Sequence, residues 1–148
     1  MGKYAEAAVV RAKSINGRLK MKIEEIKKAI QSALSPDLLK PYWRDQQKAT
    51  GNLLTGHCYA ATEACYHLLG GKSNELKPHI LTNKTFPEGL KKGETHWFLK
   101  SDDAVLDPTE KQFTMPVPYE KGRRQAFLTK SPSKRARIIM GRVKSEGE

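Results

Sequence analysis

Twelve consecutive residues, Cys58 to Leu69 (CYAATEACYHLL), hold three alanines and neither proline nor glycine, and glycines flank them at Gly56 and Gly70-Gly71. Alanine loses no side-chain entropy in a helix, and glycine supplies the left-handed residue that often closes one. The run predicts a helix that begins at Cys58 and stops at the glycine pair. Ala61, Cys65, Leu68 and Leu69 form an apolar stripe at helical spacing, so one face of this helix has to be covered. The 148 residues of the chain suit one domain with a single core.

The remaining segments supply the cover. Residues 3–34 read as a helix, weakened near Asn16-Gly17, because Ile15, Leu19, Ile23, Ile26, Ile30 and Leu34 recur at steps of three and four. A glycine inside a helix costs about 1 kcal/mol. Ser35-Pro36 opens a short helical turn through Leu38 and Leu39, which Pro41 ends. Tyr42 to Thr55 looks irregular, and residues 72–93 look like loop with a strand at His79 to Thr82. ETHWFLK and AVLDPT, separated by SDD, read as a hairpin that Pro108 interrupts. Residues 113–122 look extended, and Ser133 is placed to cap a helix KRARIIMGRV. The expected fold is α+β: an N-terminal helical part (1–45), a core (46–128) in which the Cys58 helix packs on a small antiparallel sheet, and a basic C-terminal segment (129–148). No internal repeat interrupts it.

Cys58 and Cys65 are the two cysteines. On one helix they lie about 10 Å apart by rise, too far for a disulfide. Their environments differ. Free N–H groups and the macrodipole at a helix start favour thiolate, the reactive form, and its backbone N–H is placed to supply half of an oxyanion hole at Cys58. Cys65 lies two turns deeper on the buried stripe and gains neither. A base has to come from elsewhere, and His96 and Asp107 flank the hairpin turn. With the turn at Ser101-Asp102, His96 pairs with Asp107 across the strands. With the turn at Asp102-Asp103, Asp107 pairs with Phe98, beside His96 on the same face. A three-residue turn separates them onto opposite faces. Asp107 would then orient the imidazole and stabilise its charged form.

Cysteine at a helix start, histidine opening a strand and aspartate on the next strand resembles the chain order of papain-like and transglutaminase-like enzymes. Gly56-His57-Cys58-Tyr59-Ala60 is similar to the run around the papain nucleophile. Asp107-Pro108-Thr109 is similar to the Asp-Pro-Thr after the histidine strand of transglutaminase-like domains. The resemblance implies a Cys58-His96-Asp107 triad performing acyl transfer on a peptide, amide or ester substrate, without a cofactor. It departs from papain in having aspartate third and in lacking a glutamine just before the cysteine. Gln47 and Gln46, eleven and twelve residues upstream, are the candidates for a second oxyanion donor, with Asn52 behind them. His57 beside the thiol and Trp97 are candidates to line the cleft, and Trp97 equally reads as core. The GHCY, THWFL, LDPT and PSKRA stretches also resemble small bacteriophage proteins, which carries no activity over and implies the host cytoplasm.

The net charge is +11, and Lys121 to Lys144 holds nine basic residues and no acidic one. Arg123, Arg124, Lys134, Arg135 and Arg137 are therefore candidates for binding nucleic acid or another polyanion. His57, Cys58, Cys65 and His67 match no zinc-ligand spacing, so no metal is expected. No apolar run approaches the roughly 20 residues that span a bilayer. Free thiols and the absence of a leader-like segment lead to the expectation of a cytoplasmic protein. Oligomeric state is not legible. Two alternatives to the enzyme stay open: a basic nucleic-acid-binding protein, and a phage protein that binds a host partner on a non-catalytic scaffold.

Overall fold

A computed structural model gives the structure of the protein over residues 9–14 and 17–146. Strands β1 (Val9–Ser14) and β2 (Gly17–Lys22) form an antiparallel ladder with Val10 opposite Met21 and Ala12 opposite Leu19. The helix expected over 3–34 is thereby corrected to α1 (Ile23–Ser32), and residues 3–8 and 15–16 of that expectation lie outside the described residues. The cause of the misreading is arithmetic. A step of four fits both the helical period and the period of two of a strand, so Ile15, Leu19 and Ile23 could not discriminate between them. From Ile23 the stripe is helical in fact: Ile23, Ile26 and Ile30 are all buried. Glu24 and Glu25 in the first turn of α1 complement its dipole.

Pro36–Leu38 is a single 3₁₀ turn opened by proline, as expected. Pro41 does not end it but starts α2 (Pro41–Thr50), in the segment expected to be irregular. Proline fits the first helical position, where its missing N–H is an orphan anyway. Gly51 closes α2 at φ +70°, its N–H donating to Gln47 O at 2.9 Å. Only Gln47 of this helix is buried, so there was no apolar stripe to read.

Helix α3 (Cys58–Leu68) starts where predicted and gives way to Gly70 at φ +103°. Ala60 through Cys65 are buried without a break. A helix apolar nearly all round belongs at the centre of a protein, and α3 packs against the sheet, α1 and α4 (Lys134–Glu146) together. The sheet is antiparallel in the order β5-β4-β3-β6, built from β3 (Lys77–Thr82), β4 (Thr95–Lys100), β5 (Val105–Leu106) and β6 (Arg123–Arg124). Leu99 pairs with Leu106 and Lys100 with Val105, and Ser101 N–H donates to Ala104 O at 2.9 Å. The turn is therefore Asp102-Asp103, the second of the two favourable registers. Counting on by one residue places Asp107 opposite Phe98.

Both faces of the sheet are covered. Leu99 and Leu106 meet the helices, together with Ile26, Ile30, Ala61, Cys65 and Ile139. Leu81 and Phe98 meet Phe86 and Leu90, and the segment from Phe113 to Tyr119 closes over them. Within the basic C-terminal segment α4 is an amphipathic helix, with Ala136 and Ile139 fully buried. Ser133 caps it as predicted, Oγ accepting from Ala136 N–H at 3.3 Å. The anchor is Glu63, fully buried on α3, which accepts from Ser133 N–H at 3.1 Å and Ser133 Oγ–H at 2.6 Å.

Candidate active site

Cys58 is the first residue of α3, and its N–H is one of the first-turn donors that have no acceptor within the helix. The approach to it is tight. Gly56 sits at φ +86°, and a Cβ there would fall 2.9 Å from Trp43 Cβ on α2, so glycine alone lets the chain turn into the helix. Cys58 is half-buried, and its Sγ lies 3.7 Å from Thr95 O at the start of β4. Thr62 Oγ1 donates to Trp97 O at 3.1 Å one turn further on, which fixes α3 against the same strand.

His96, the next residue of β4, is fully buried. Its Nε2 donates to Asp107 Oδ2 at 2.6 Å. Burial opposes a charge on this imidazole, but the Asp107 carboxylate, by charge and hydrogen bond, and the Cys58 sulfur, also by hydrogen bond and charge, outweigh it and carry the pKa up to about 10. With Nε2 committed to Asp107, Nδ1 is the nitrogen left to face the sulfur. Gln112 Nε2 also lies 3.2 Å from Nδ1 and donates to Thr109 Oγ1 at 3.0 Å. In that orientation the amide donor suits a neutral imidazole. The oxygen and nitrogen of an amide exchange places by a half-turn. Turned over, Gln112 Oε1 accepts from an Nδ1–H and from the Thr109 hydroxyl, which suits the imidazolium.

Asp107 is itself held. Thr109 N–H donates to its Oδ1 at 3.2 Å, and the Tyr119 hydroxyl lies 2.8 Å from Oδ2 and 3.1 Å from Glu110 Oε2. That hydroxyl has one proton and two carboxylates to give it to. Burial and the two carboxylates push the Tyr119 pKa upward, so it remains a phenol. Glu110 in turn accepts from Lys27 Nζ at 3.0 Å, and Gln31 Nε2 donates to Pro108 O at 3.0 Å. Helix α1 thus braces the loop that carries Asp107.

A cleft of about 610 Å³ opens over Cys58. Gln46 and Trp97 lie on its wall with Gln112. Trp97 is also packed, stacked on Phe127 and edge-on to Tyr59, so it serves both as wall and as core. Three cleft candidates are elsewhere. Gln47 is buried and spends its amide on Leu53 O at 2.9 Å. Asn52 holds its own turn, accepting from Leu54 N–H and donating to Lys111 O. His57 turns inward, 1% exposed, and its Nε2 has no partner among the described residues. Burial, helped by the Arg135 charge, lowers its pKa to about 4, which keeps it neutral. Burial likewise raises Cys65.

Sequence reasoning missed Gln112, Thr109, Tyr119 and Glu110. The Asp107-Pro108-Thr109 motif pointed at Thr109, but nothing local marked Gln112 or Tyr119. The basic candidates do not form one patch. Arg123 and Arg124 are on the edge strand β6, while Arg135 lies on the cleft wall. Lys134 and Arg137 are exposed on α4. Among the described residues there is no cluster of His, Cys, Asp and Glu fit to hold a metal ion, and no helix is long and apolar enough to cross a membrane. No family model, curated protein or solved structure matches the chain.

Proposed function

We propose that the protein is a cysteine-nucleophile acyl-transfer enzyme whose triad is Cys58, His96 and Asp107, on a core of papain-like or transglutaminase-like type. The observation that carries this reading is the buried His96–Asp107 pair at 2.6 Å, with the Cys58 sulfur 3.7 Å from the carbonyl of Thr95, the residue before His96. The Cys58 sulfur attacks an amide or ester carbonyl, forming a C–S bond while the carbonyl oxygen takes the negative charge. The Cys58 N–H at the helix start is one donor to that oxygen, and the Gln46 and Gln112 amides on the cleft wall are the candidates for the other. Collapse breaks the bond to the leaving group, which takes the Nδ1 proton of His96. Water or an amine then attacks the thioester and returns a proton to Nδ1, and the thiolate leaves. Asp107 keeps its charge throughout and steadies the imidazolium.

The experiment is intact-protein mass spectrometry with a panel of electrophilic acyl esters and amides. Wild type should gain one acyl group at Cys58, Cys58→Ala none, and His96→Ala far less at equal time. Labelling of Cys65 at the same rate as Cys58, or labelling indifferent to His96→Ala, would refute the triad.

A further inference from the structure

The walls of the cleft carry a charge bias that belongs neither to the triad nor to the C-terminal basic run as a whole. Lys40 comes from the start of α2, Lys91 and Lys92 from the turn before β4, and Arg135 from the first turn of α4. Among the described residues Glu94 is the one carboxylate lining the cleft, and its Oε1 already accepts from Lys91 N–H at 2.8 Å. Four cations to one carboxylate compares with twenty-seven to sixteen in the whole chain. Among the described residues none of the four is in an ion pair. Lysines 91 and 92 are four and three residues from Thr95, whose carbonyl touches the Cys58 sulfur. At about 3.3 Å per residue that is roughly 10–13 Å of chain at most, the span of three or four residues of an extended peptide.

We infer that this cleft selects an acidic polypeptide, with Asp or Glu side chains within a few residues of the attacked carbonyl. This rests on the acyl-transfer reading above. A polynucleotide satisfies the charge but offers no peptide or ester carbonyl to a thiolate. An acidic peptide satisfies both, and Tyr42, Trp43, Tyr59 and Trp97 give its apolar groups a wall.

Two measurements test it. Binding of a rhodamine-labelled Glu/Asp-rich peptide to the Cys58→Ala protein is followed by anisotropy, which needs no reaction. It should be about tenfold or more tighter than binding of a Lys-rich counterpart at low salt, with the difference shrinking at 0.5 M salt, the behaviour of a charged cleft. Adding Lys91→Gln, Lys92→Gln and Arg135→Gln should abolish the preference, and Arg123→Gln with Arg124→Gln should leave it. In wild type, acidic peptidyl chloromethyl ketones should alkylate Cys58 faster than basic ones by a similar factor. Equal affinities for the two peptides, or a preference that survives the triple substitution, would overturn the inference. So would an oligothymidylate that displaces the acidic peptide at lower charge concentration than the unlabelled peptide does. Iodoacetamide separates the two claims: rapid alkylation of Cys58 without charge preference sinks the substrate class alone, and slow alkylation sinks the triad.

Discussion

Replacing Asp107 with asparagine keeps the side chain's size and removes the charge that His96 faces. The cleanest setting is a Cys58→Ala background, which leaves Asp107 as the group raising His96. A histidine raised in the folded state holds a proton that the unfolded chain releases above its ordinary value of 6.5. Its stabilisation is fully present below 6.5 and is lost as pH climbs toward the folded value. One proton gives a slope of about 1.4 kcal/mol per pH unit, so Cys58→Ala protein should lose stability from this group between pH 6.5 and 8, by about 2 kcal/mol at most. With Asp107→Asn added, burial acts unopposed and lowers His96 below its ordinary value, and that loss should vanish. Breaking the buried pair should itself cost roughly 3–5 kcal/mol in acid solution, and the gap between the two proteins should narrow as pH rises. Urea unfolding at half-unit intervals from pH 6 to 8 measures both slopes, and the buried Cys65 thiol cancels because both proteins contain it. The His96 ring proton shift reports the same titration directly by NMR. Parallel slopes, or a His96 that titrates at or below 6.5 with Asp107 present, would refute the reasoning.

Two further outcomes follow from the contacts around this pair. Glu63→Ala removes the acceptor for both Ser133 N–H and Ser133 Oγ–H, so α4 should loosen and the protein lose roughly 2 kcal/mol or more, read by urea unfolding; Glu63→Gln, which keeps one acceptor oxygen, should lose about half of that. Gln112→Ala removes the amide over His96 Nδ1 and should slow iodoacetamide labelling of Cys58 about tenfold, the worth of one hydrogen bond to a charged group, whereas Gln112→Glu, which accepts and cannot donate, should keep the rate. A rate unchanged by Gln112→Ala would show that the amide plays no part in holding the charged ring.

The parts of the fold that were legible are those where one local rule acted without a competitor. Cys58 to Leu68 is helical because alanine-rich sequence, a stripe and a glycine stop all agree. Ser133 caps α4 because serine there meets a following helical run. Where rules competed, the sequence misled. Proline 41 reads equally as the end of one helical turn or the start of another helix, and it is the start of α2, whose far end only the glycine at position 51 marks. Steps of four residues fit a strand as well as a helix, and the Asn16-Gly17 dipeptide, which belongs to turns, was the better guide to the β1–β2 ladder.

The candidate site divides along the same line. Cys58, His96 and Asp107 could be nominated from the sequence because each sits near an element boundary with its own local signature, and because a two-residue turn joins the strands that precede or bear the last two. The groups that hold them were not found because their roles depend on loop paths of 9 to 16 residues. Tyr119 reaches Asp107 twelve residues back, and Gln112 reaches His96 sixteen residues back. Lys27 reaches Glu110 across 83 residues. No periodicity predicts such contacts, because they form only after β5 has ended at Leu106 and the chain has folded back over the sheet. Burial then makes them obligatory. A fully buried His96 and a nearly fully buried Asp107 need every remaining lone pair and proton satisfied, so Thr109, Gln112 and Tyr119 converge on them. Cys58 stays half-buried in the cleft, with the His96–Asp107 pair behind it and the cations of the cleft wall around it. A carboxylate-bearing peptide entering that cleft meets attraction from the walls before it meets the sulfur, and the buried pair beneath is shielded from both solvent and substrate charge.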